Sequence, residues 1–338
     1  MTRSQKQPIL YQDKLQVPEK YLRFATPEVV ATYRADKLKC EKLVEIGAGI
    51  GGQTFAFSKV CKKVLAIESN KSSANILIDN LKKLKIQNVE VLVADALSKK
   101  AVEKIKEFQP EIIFCDTERP EKAERTLENI KPSIKKILEI FSPITPKIAI
   151  EIPPFTNTEK LDEKYEKEFI SLNQQLNRLT LYFNELKQNE VSVISLPSKE
   201  KIIPKNKKQL PRGRAGGNDY LYVIDPTIIV ADLISELSNK FNSSILALNK
   251  PVLLSDKKIT SNFLTGYKIL STCKNEQNEI IQNLKKVEAG KIVLRYNIEP
   301  KDYWKIRNLY ENQIKGNKEI SLFIDEKNDK AILCGKID

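Results

Sequence analysis

No histidine occurs anywhere in the 338 residues of this chain. That absence removes imidazole from every role: there is no Ser-His-Asp or Cys-His pair, no His metal ligand and no imidazole proton shuttle. Acid–base work is left to Asp, Glu, Lys, Tyr or Cys. Cysteine is scarce too. Its five residues, at 40, 61, 115, 273 and 334, are odd in number and include no CxxC pair, which speaks against structural zinc and a disulfide framework. No apolar run reaches membrane-spanning length, and the first thirty residues hold no apolar signal core. The expectation is a protein of the reducing cytoplasm that engages neither a membrane nor a metal. Glycine is limited to 11 residues, yet four of them crowd into positions 47, 49, 51 and 52.

Positive charge is plentiful by contrast. Lys and Arg number 57 against 44 Asp and Glu, a formal net charge of +13, and a 41% hydrophobic fraction suffices for two domain cores. Between residues 43 and 152 short β-rich runs alternate with helical stretches, the pattern of a parallel sheet covered by helices. Five strands are expected at Leu43–Gly47, Val64–Glu68, Val89–Val93, Glu111–Asp116 and Lys147–Ile152. Ala74, Leu77, Ile78, Leu81 and Leu84 recur at three- and four-residue spacing and predict a helix over 71–84 with one apolar face. Beyond residue 152 the reading is a helix over 159–173, followed by LTLYFNEL and VSVISLP as an antiparallel pair that finishes the sheet.

The segment Lys199–Arg214 carries seven basic residues against one acid, with glycines at 213, 216 and 217, and reads as a basic loop. A small α+β unit follows. It includes YLYVIDP, a helix over 227–241, KIVLRYNI, a helix through Trp304, ISLFID and AILCGK. The expected organisation is therefore a lead-in segment 1–42, a Rossmann-like doubly wound α/β domain 43–198, a linker 199–218 and an α+β domain 219–338.

The first strand empties into Glu45-Ile-Gly47-Ala-Gly49-Ile-Gly51-Gly52 and a helix follows at once. Glycines there let the backbone turn sharply and approach a ligand. Gly47, Gly49 and Gly52 satisfy the dinucleotide spacing, and Glu68, 21 residues after Gly47, stands where a ribose-binding acid belongs. On this pattern NAD and S-adenosylmethionine both fit. Glu45 favours the second, because a carboxylate there can receive an amino group whereas a pyrophosphate gains nothing from a nearby negative charge. Asp95, after the third strand, is suited to accept the adenine amino group. Taken singly, Gly51 and Gly52 are also explained by strand–helix packing and Asp95 by a helix cap; the order of the set across three strands is what singles it out.

The acceptor end is expected beyond the fourth strand, at Asp116-Thr-Glu-Arg119-Pro. Asp116 can accept a hydrogen bond from an exocyclic amine and orient its lone pair, and Arg119 can hold a phosphate or a base edge. Phe155, in Ile152-Pro153-Pro154-Phe155, offers a stacking face, while Cys115 reads as a small buried residue rather than a nucleophile. The basic loop, through Lys205, Lys207, Lys208 and Arg212, is a candidate phosphate-binding surface, with nucleic acid as partner and RNA before DNA. Its competitor is a solvated surface in a Lys/Ile/Asn-rich chain.

The ordered set Glu45, Gly47, Gly49, Glu68 and Asp95 resembles class I S-adenosylmethionine-dependent methyltransferases. Three segments extend the likeness to members with a C-terminal THUMP-like domain. Phe24-Ala25-Thr26-Pro27 through Arg34-Ala35 is similar to that family's QATPxxVAxxRA stretch, with Phe24 in place of glutamine. EIGAGIGGQT matches its glycine loop, and YVIDPTIIVADL with KIVLRYNIEPKDYWKIRNLYENQIKGNKEISLFID resembles its terminal module. The likeness covers residue 22 to the end and implies an S-adenosylmethionine-dependent methyltransferase. A weaker resemblance to the trimethylguanosine synthase type implies an RNA guanine amine as acceptor; its DPARR-like exit stands here as DTERP, which keeps Asp116 and Arg119 but loses the proline. Competing classes are a cofactor- and RNA-binding module without turnover and an NAD-dependent oxidoreductase.

Overall fold

The computed structural model describes residues 8–15, 18, 26–117, 126–158, 161, 164–205 and 217–337. Two compact units divide the chain: residues 1–172 with 176–199, and residues 200–338 with 173–175.

In the first unit, α1 (Glu28–Lys37) precedes β1 (Lys42–Ile46), after which strands and helices alternate: α2 (Thr54–Val60), β2 (Lys63–Glu68), α3 (Lys71–Lys83), β3 (Val89–Val93), α4 (Lys99–Phe108), β4 (Ile112–Asp116), α5 (Ile134–Phe141) and β5 (Ile148–Ile152). Strands β6 (Tyr165–Leu172), β7 (Leu176–Phe183) and β8 (Val191–Leu196) complete it. The strand order is β3-β2-β1-β4-β5-β7-β6-β8. The first five strands are parallel and β7 runs antiparallel to both β5 and β6. The order in which the chain adds its strands reverses between the parallel neighbours β1 and β4, so the carboxyl ends of these two strands frame the crevice in which an open α/β sheet binds ligands.

The helices form for local reasons that the sequence carries. The Asn70 side chain caps α3 by accepting the Ser73 amide at 3.0 Å, and Ser98 caps α4 through the Ala101 amide. Ala74, Leu77 and Leu81 of α3 are buried, and Leu77 and Leu81 cluster with Phe55, Phe57, Val64, Ala66 and Phe114, joining helices to sheet.

Two expectations are corrected here. Within the stretch expected to be helical, residues 165–172 form β6, with Glu166 and Glu168 both pointing inward and fully buried. The repeated Lys and Glu of that stretch imitate a charged helix, whereas the burial alternates as in a strand. The segments expected to pair with each other, β7 and β8, are separated by β6, and β8 pairs with β6 in parallel.

In the second unit the segment read as a basic loop opens with β9 (Glu200–Ile202), and β10 (Tyr220–Ile224) follows. The single helix expected over 227–241 is two, α6 (Pro226–Val230) and α7 (Ile234–Phe241), interrupted where Asp232 takes a positive φ of 55°. Next come β11 (Ser244–Ala247), β12 (Pro251–Ser255), β13 (Leu264–Lys274), α8 (Gln277–Lys286), β14 (Ala289–Leu294), α9 (Tyr303–Glu311), β15 (Lys318–Asp325) and β16 (Lys330–Lys336). A seven-stranded sheet has the order β11-β12-β10-β13-β16-β15-β14. Its β14-α9-β15 stretch is a parallel crossover in an otherwise antiparallel sheet, and Ile280, Leu284, Ile292, Leu322 and Leu333 pack between helices and strands.

Candidate active site

The glycine turn after β1 is held on three sides. The amides of Gly47 and Ala48 both donate to the Ile67 carbonyl of β2, at 2.9 and 3.1 Å. The Gly49 amide donates to Glu68 Oε2 at 2.7 Å, and the Asn70 amide to Glu68 Oε1, also at 2.7 Å. Glu68 thus binds the turn to the start of α3. Each of its oxygens retains a second lone pair, so ribose hydroxyls remain within its capacity. Gly47 adopts φ 79°, and a Cβ there would stand 2.3 Å from the Asp116 carbonyl oxygen. No residue other than glycine allows the exits of β1 and β4 to come this close.

Glu45 lies beneath the turn, 1% exposed, and its Oε2 has no hydrogen-bond partner among the described residues. Burial pushes its carboxyl up to about 8, against the Thr54 hydroxyl and the Arg34 cation, which pull the other way. An unpartnered, buried carboxyl oxygen fits a ligand that brings its own positive amino group, and S-adenosylmethionine has one. The open space at Gly49, where an added Cβ would meet nothing within 4 Å, fits a ligand lying across the turn. Asp95 is exposed after β3. Its Oδ1 accepts the Leu97 amide at 2.9 Å, so it also closes the turn into α4.

At the exit of β4, Asp116 is partly accessible and stands in register with Glu151 of β5. Burial raises the Asp116 carboxyl to about 7, Glu151 and Glu68 add to the rise, and Arg34 and Arg178 oppose it. Thr117 fixes the exit by donating its hydroxyl to the Glu151 carbonyl at 2.7 Å. Phe155 is 56% exposed after the two prolines. Cys115 is fully buried and its thiol is pushed well above the ordinary range by burial, consistent with packing rather than chemistry. Lys205 is exposed in the second unit. Arg119, Lys207, Lys208 and Arg212 lie outside the described residues.

Sequence reasoning missed the buried charges behind this crevice. Arg34 of α1 is fully buried, ion-paired with Glu151 and hydrogen-bonded to Gln53 Oε1 at 3.0 Å; its guanidinium lies 4.8 Å from the Phe114 ring centre. Arg178 of β7 pairs with the other Glu151 oxygen at 2.8 Å. Burial drives Arg34 toward losing its proton, but Glu151, Asp116 and Glu168 more than offset that, and the group stays cationic. The available signals were a lone glutamate inside the apolar run IAIEI and an arginine on the Val30–Ala31–Ala35 face of α1.

Comparison with known proteins places this geometry in a family. The chain shares 43% identity over 63 residues with a ribosomal RNA small subunit methyltransferase A of Methanosphaera stadtmanae, covering 19% of this chain and 23% of that protein. It also shares 43% over 54 residues with a cobalt-precorrin-6B C(15)-methyltransferase of Methanococcus maripaludis, covering 16% of this chain and 30% of the relative. The chain therefore spans less than a third of the length of either relative. A crystal structure from Porphyromonas gingivalis W83, described as a candidate methyltransferase, superimposes with a TM-score of 0.79 at 16% identity, covering 96% of this chain and 84% of that one, and shows the fold. Residues 26–197, just over half of the chain and most of the first unit, match the family described as Ribosomal RNA adenine dimethylase, and the chain belongs to that family of class I S-adenosylmethionine-dependent methyltransferases.

Proposed function

We propose that this protein transfers a methyl group from S-adenosylmethionine to an exocyclic amine of a purine in structured RNA, in the cytoplasm. The observation that carries the reading is the juxtaposition of an unpartnered buried Glu45 oxygen, a positive-φ glycine turn and the Asp116 exit within one crevice. S-adenosylmethionine supplies a methyl group on a sulfonium, so the acceptor nitrogen gains an N–C bond as the S–C bond breaks and then gives up one proton. In this reading Glu45 receives the cofactor's amino group, the turn from Gly47 to Gly51 and the Glu68 carboxylate hold its middle, and Asp95 meets its adenine. Asp116 accepts a hydrogen bond from the acceptor amine and aims its lone pair; with a carboxyl raised to about 7, it is also suited to take the released proton. The exposed Phe155 offers a stacking face. Such a displacement needs positioning more than acid–base power, which suits a chain without histidine.

The family match and the Methanosphaera relative, named for ribosomal RNA, favour RNA, and the family's description favours adenine over the guanine that the weaker sequence resemblance implied. The second unit, whose sequence resembles THUMP-like modules, and the basic segment with Lys205, Lys207, Lys208 and Arg212 are assigned to RNA binding, with Arg119 on a phosphate or base edge. The test is incubation of the purified protein with labelled S-adenosylmethionine and RNA lacking the modification, followed by nucleoside mass spectrometry. Methylated adenosine is the expected product. Methylated guanosine would return the acceptor to the guanine reading, and cofactor binding without transfer to any RNA would overturn the proposal.

A further inference from the structure

Helix α1 is fastened to the sheet by two ionic contacts of different character. Lys37 donates to Glu168 Oε2 at 2.7 Å, and that carboxylate also accepts the hydroxyls of Tyr33 at 2.9 Å and Tyr182 at 3.0 Å. This contact docks the helix on β6 and β7. Arg34, one residue past Tyr33, does something else. Its NH1 reaches Gln53, whose own amide donates to the Ala31 carbonyl of α1 at 3.0 Å, and its NH2 pairs with Glu151 and lies 3.4 Å from the Thr180 hydroxyl. Gln53 directly follows the glycine turn at the start of α2, and Glu151 is the strand neighbour of Asp116. A buried ion pair is a poor device for stability alone, because a well-packed apolar group in its place is often neutral or stabilising. With Lys37 already docking the helix, an aliphatic side chain at position 34 would satisfy packing. A guanidinium is needed where two polar elements must be held at a fixed separation.

We propose that Arg34 is a positioning residue of the active site: through Gln53 and Glu151 it fixes the separation between the glycine turn that carries the cofactor and the Asp116 exit that receives the acceptor. The inference rests on the methyl-transfer reading for its kinetic consequence and, for its electrostatic one, on the buried Arg34–Glu151 pair in register with Asp116. The charged groups facing Asp116 among the described residues are Glu45 on β1, Glu68 on β2, Glu151 on β5, Arg34 on α1 and Arg178 on β7. Glu45 keeps its own proton to about 8, so loss of the Arg34 cation leaves the Glu151 and Glu68 carboxylates against Arg178 alone, and the Asp116 proton is held to higher pH.

The test compares Arg34→Met, Arg34→Lys, Gln53→Leu and Lys37→Met in the full-length protein, with folding checked by circular dichroism. Two quantities are read: the kcat and KM of methyl transfer, and the midpoint of the Asp116 carboxyl titration by carbon-13 NMR. Arg34→Met should lower kcat on the order of tenfold to a hundredfold, with the S-adenosylmethionine KM moving much less, since displacements near one ångström have that effect. It should also raise the Asp116 midpoint, and Arg34→Lys should restore part of both. Gln53→Leu cuts the arm to the glycine turn and should lower kcat without moving the midpoint. Lys37→Met should lower stability and leave both quantities in place. An equal fall of kcat in Lys37→Met, or an unmoved Asp116 midpoint in both Arg34 variants, would overturn the proposal. If the wild-type protein transfers no methyl, the functional reading fails, and the Asp116 titration still decides whether Arg34 governs that exit.

Discussion

Glu45 brings two demands into conflict at a single position. Its carboxyl is placed where a charged amino group is to be received, yet the free protein buries it without a partner for Oε2, and the group holds its proton to about 8 instead of the ordinary 4.5. Between those two values the unfolded chain is ionised at this position and the folded chain is not. The unfolded state then binds fewer protons, so stability falls as pH rises through that window, at up to about 1.4 kcal/mol per pH unit for this group. Glu45→Gln removes the contribution. Thermal unfolding at pH 5, 6, 7 and 8 should show the variant gaining on the wild-type protein at each step while it loses affinity for S-adenosylmethionine. Parallel pH curves for the two proteins would show that the Glu45 carboxyl is ionised in the folded state. Gly47 expresses the complementary constraint in backbone form, since an added methyl would meet the Asp116 carbonyl and force the two strand exits apart.

Among the elements, α1 and β6 hold what the sequence concealed. Each offers charged side chains to the interior, and the two glutamates of β6 are well partnered: Glu168 accepts from Lys37, Tyr33 and Tyr182, while Glu166 accepts from Ser192 and from the amides of Gln188 and Asn189. Truncating one member of such a set strands the rest. Glu168→Ala should destabilise the protein by about 3–5 kcal/mol, read as a lower midpoint in urea, because the largely covered Lys37 loses its counter-ion and the hydroxyls of Tyr33 and Tyr182 lose their acceptor. A loss below about 1 kcal/mol would mean that α1 is held by its apolar contacts with Ile170, Leu172 and Ile194 instead. The same chemistry explains what sequence periodicity could and could not see. Strands β1 to β5 and helix α3 were legible because apolar residues predominate in them, despite the buried Glu45, Glu68 and Glu151. In β6 the buried positions include two glutamates, so a hydrophobicity pattern reads the strand as solvent-facing helix. The glycine turn was legible from spacing. Arg34, Gln53 and Glu151 were not, because their partners lie 19 and 117 residues from Arg34 and only the folded sheet brings them together.

At the scale of the whole molecule, net charge and cofactor chemistry meet. A charge of +13 favours polyanions in general, and the basic segment within 199–214 concentrates a part of it. Replacing Lys205, Lys207, Lys208 and Arg212 with glutamine should reduce the slope of log affinity for RNA against log salt by up to about three to four, since each phosphate contact contributes about 0.7 to 0.9. A slope identical to that of the unaltered protein would reduce the segment to solvated surface and leave RNA binding to other residues. The missing histidines have one more consequence. In most proteins imidazoles dominate proton exchange with solvent near neutrality and hide any single site. Here that background is absent, and two crevice carboxyls, Asp116 near 7 and Glu45 near 8, take its place. Protons released when a sulfonium ligand enters can therefore be counted directly, by titration calorimetry in buffers of differing ionisation heat, as a readout of the crevice itself.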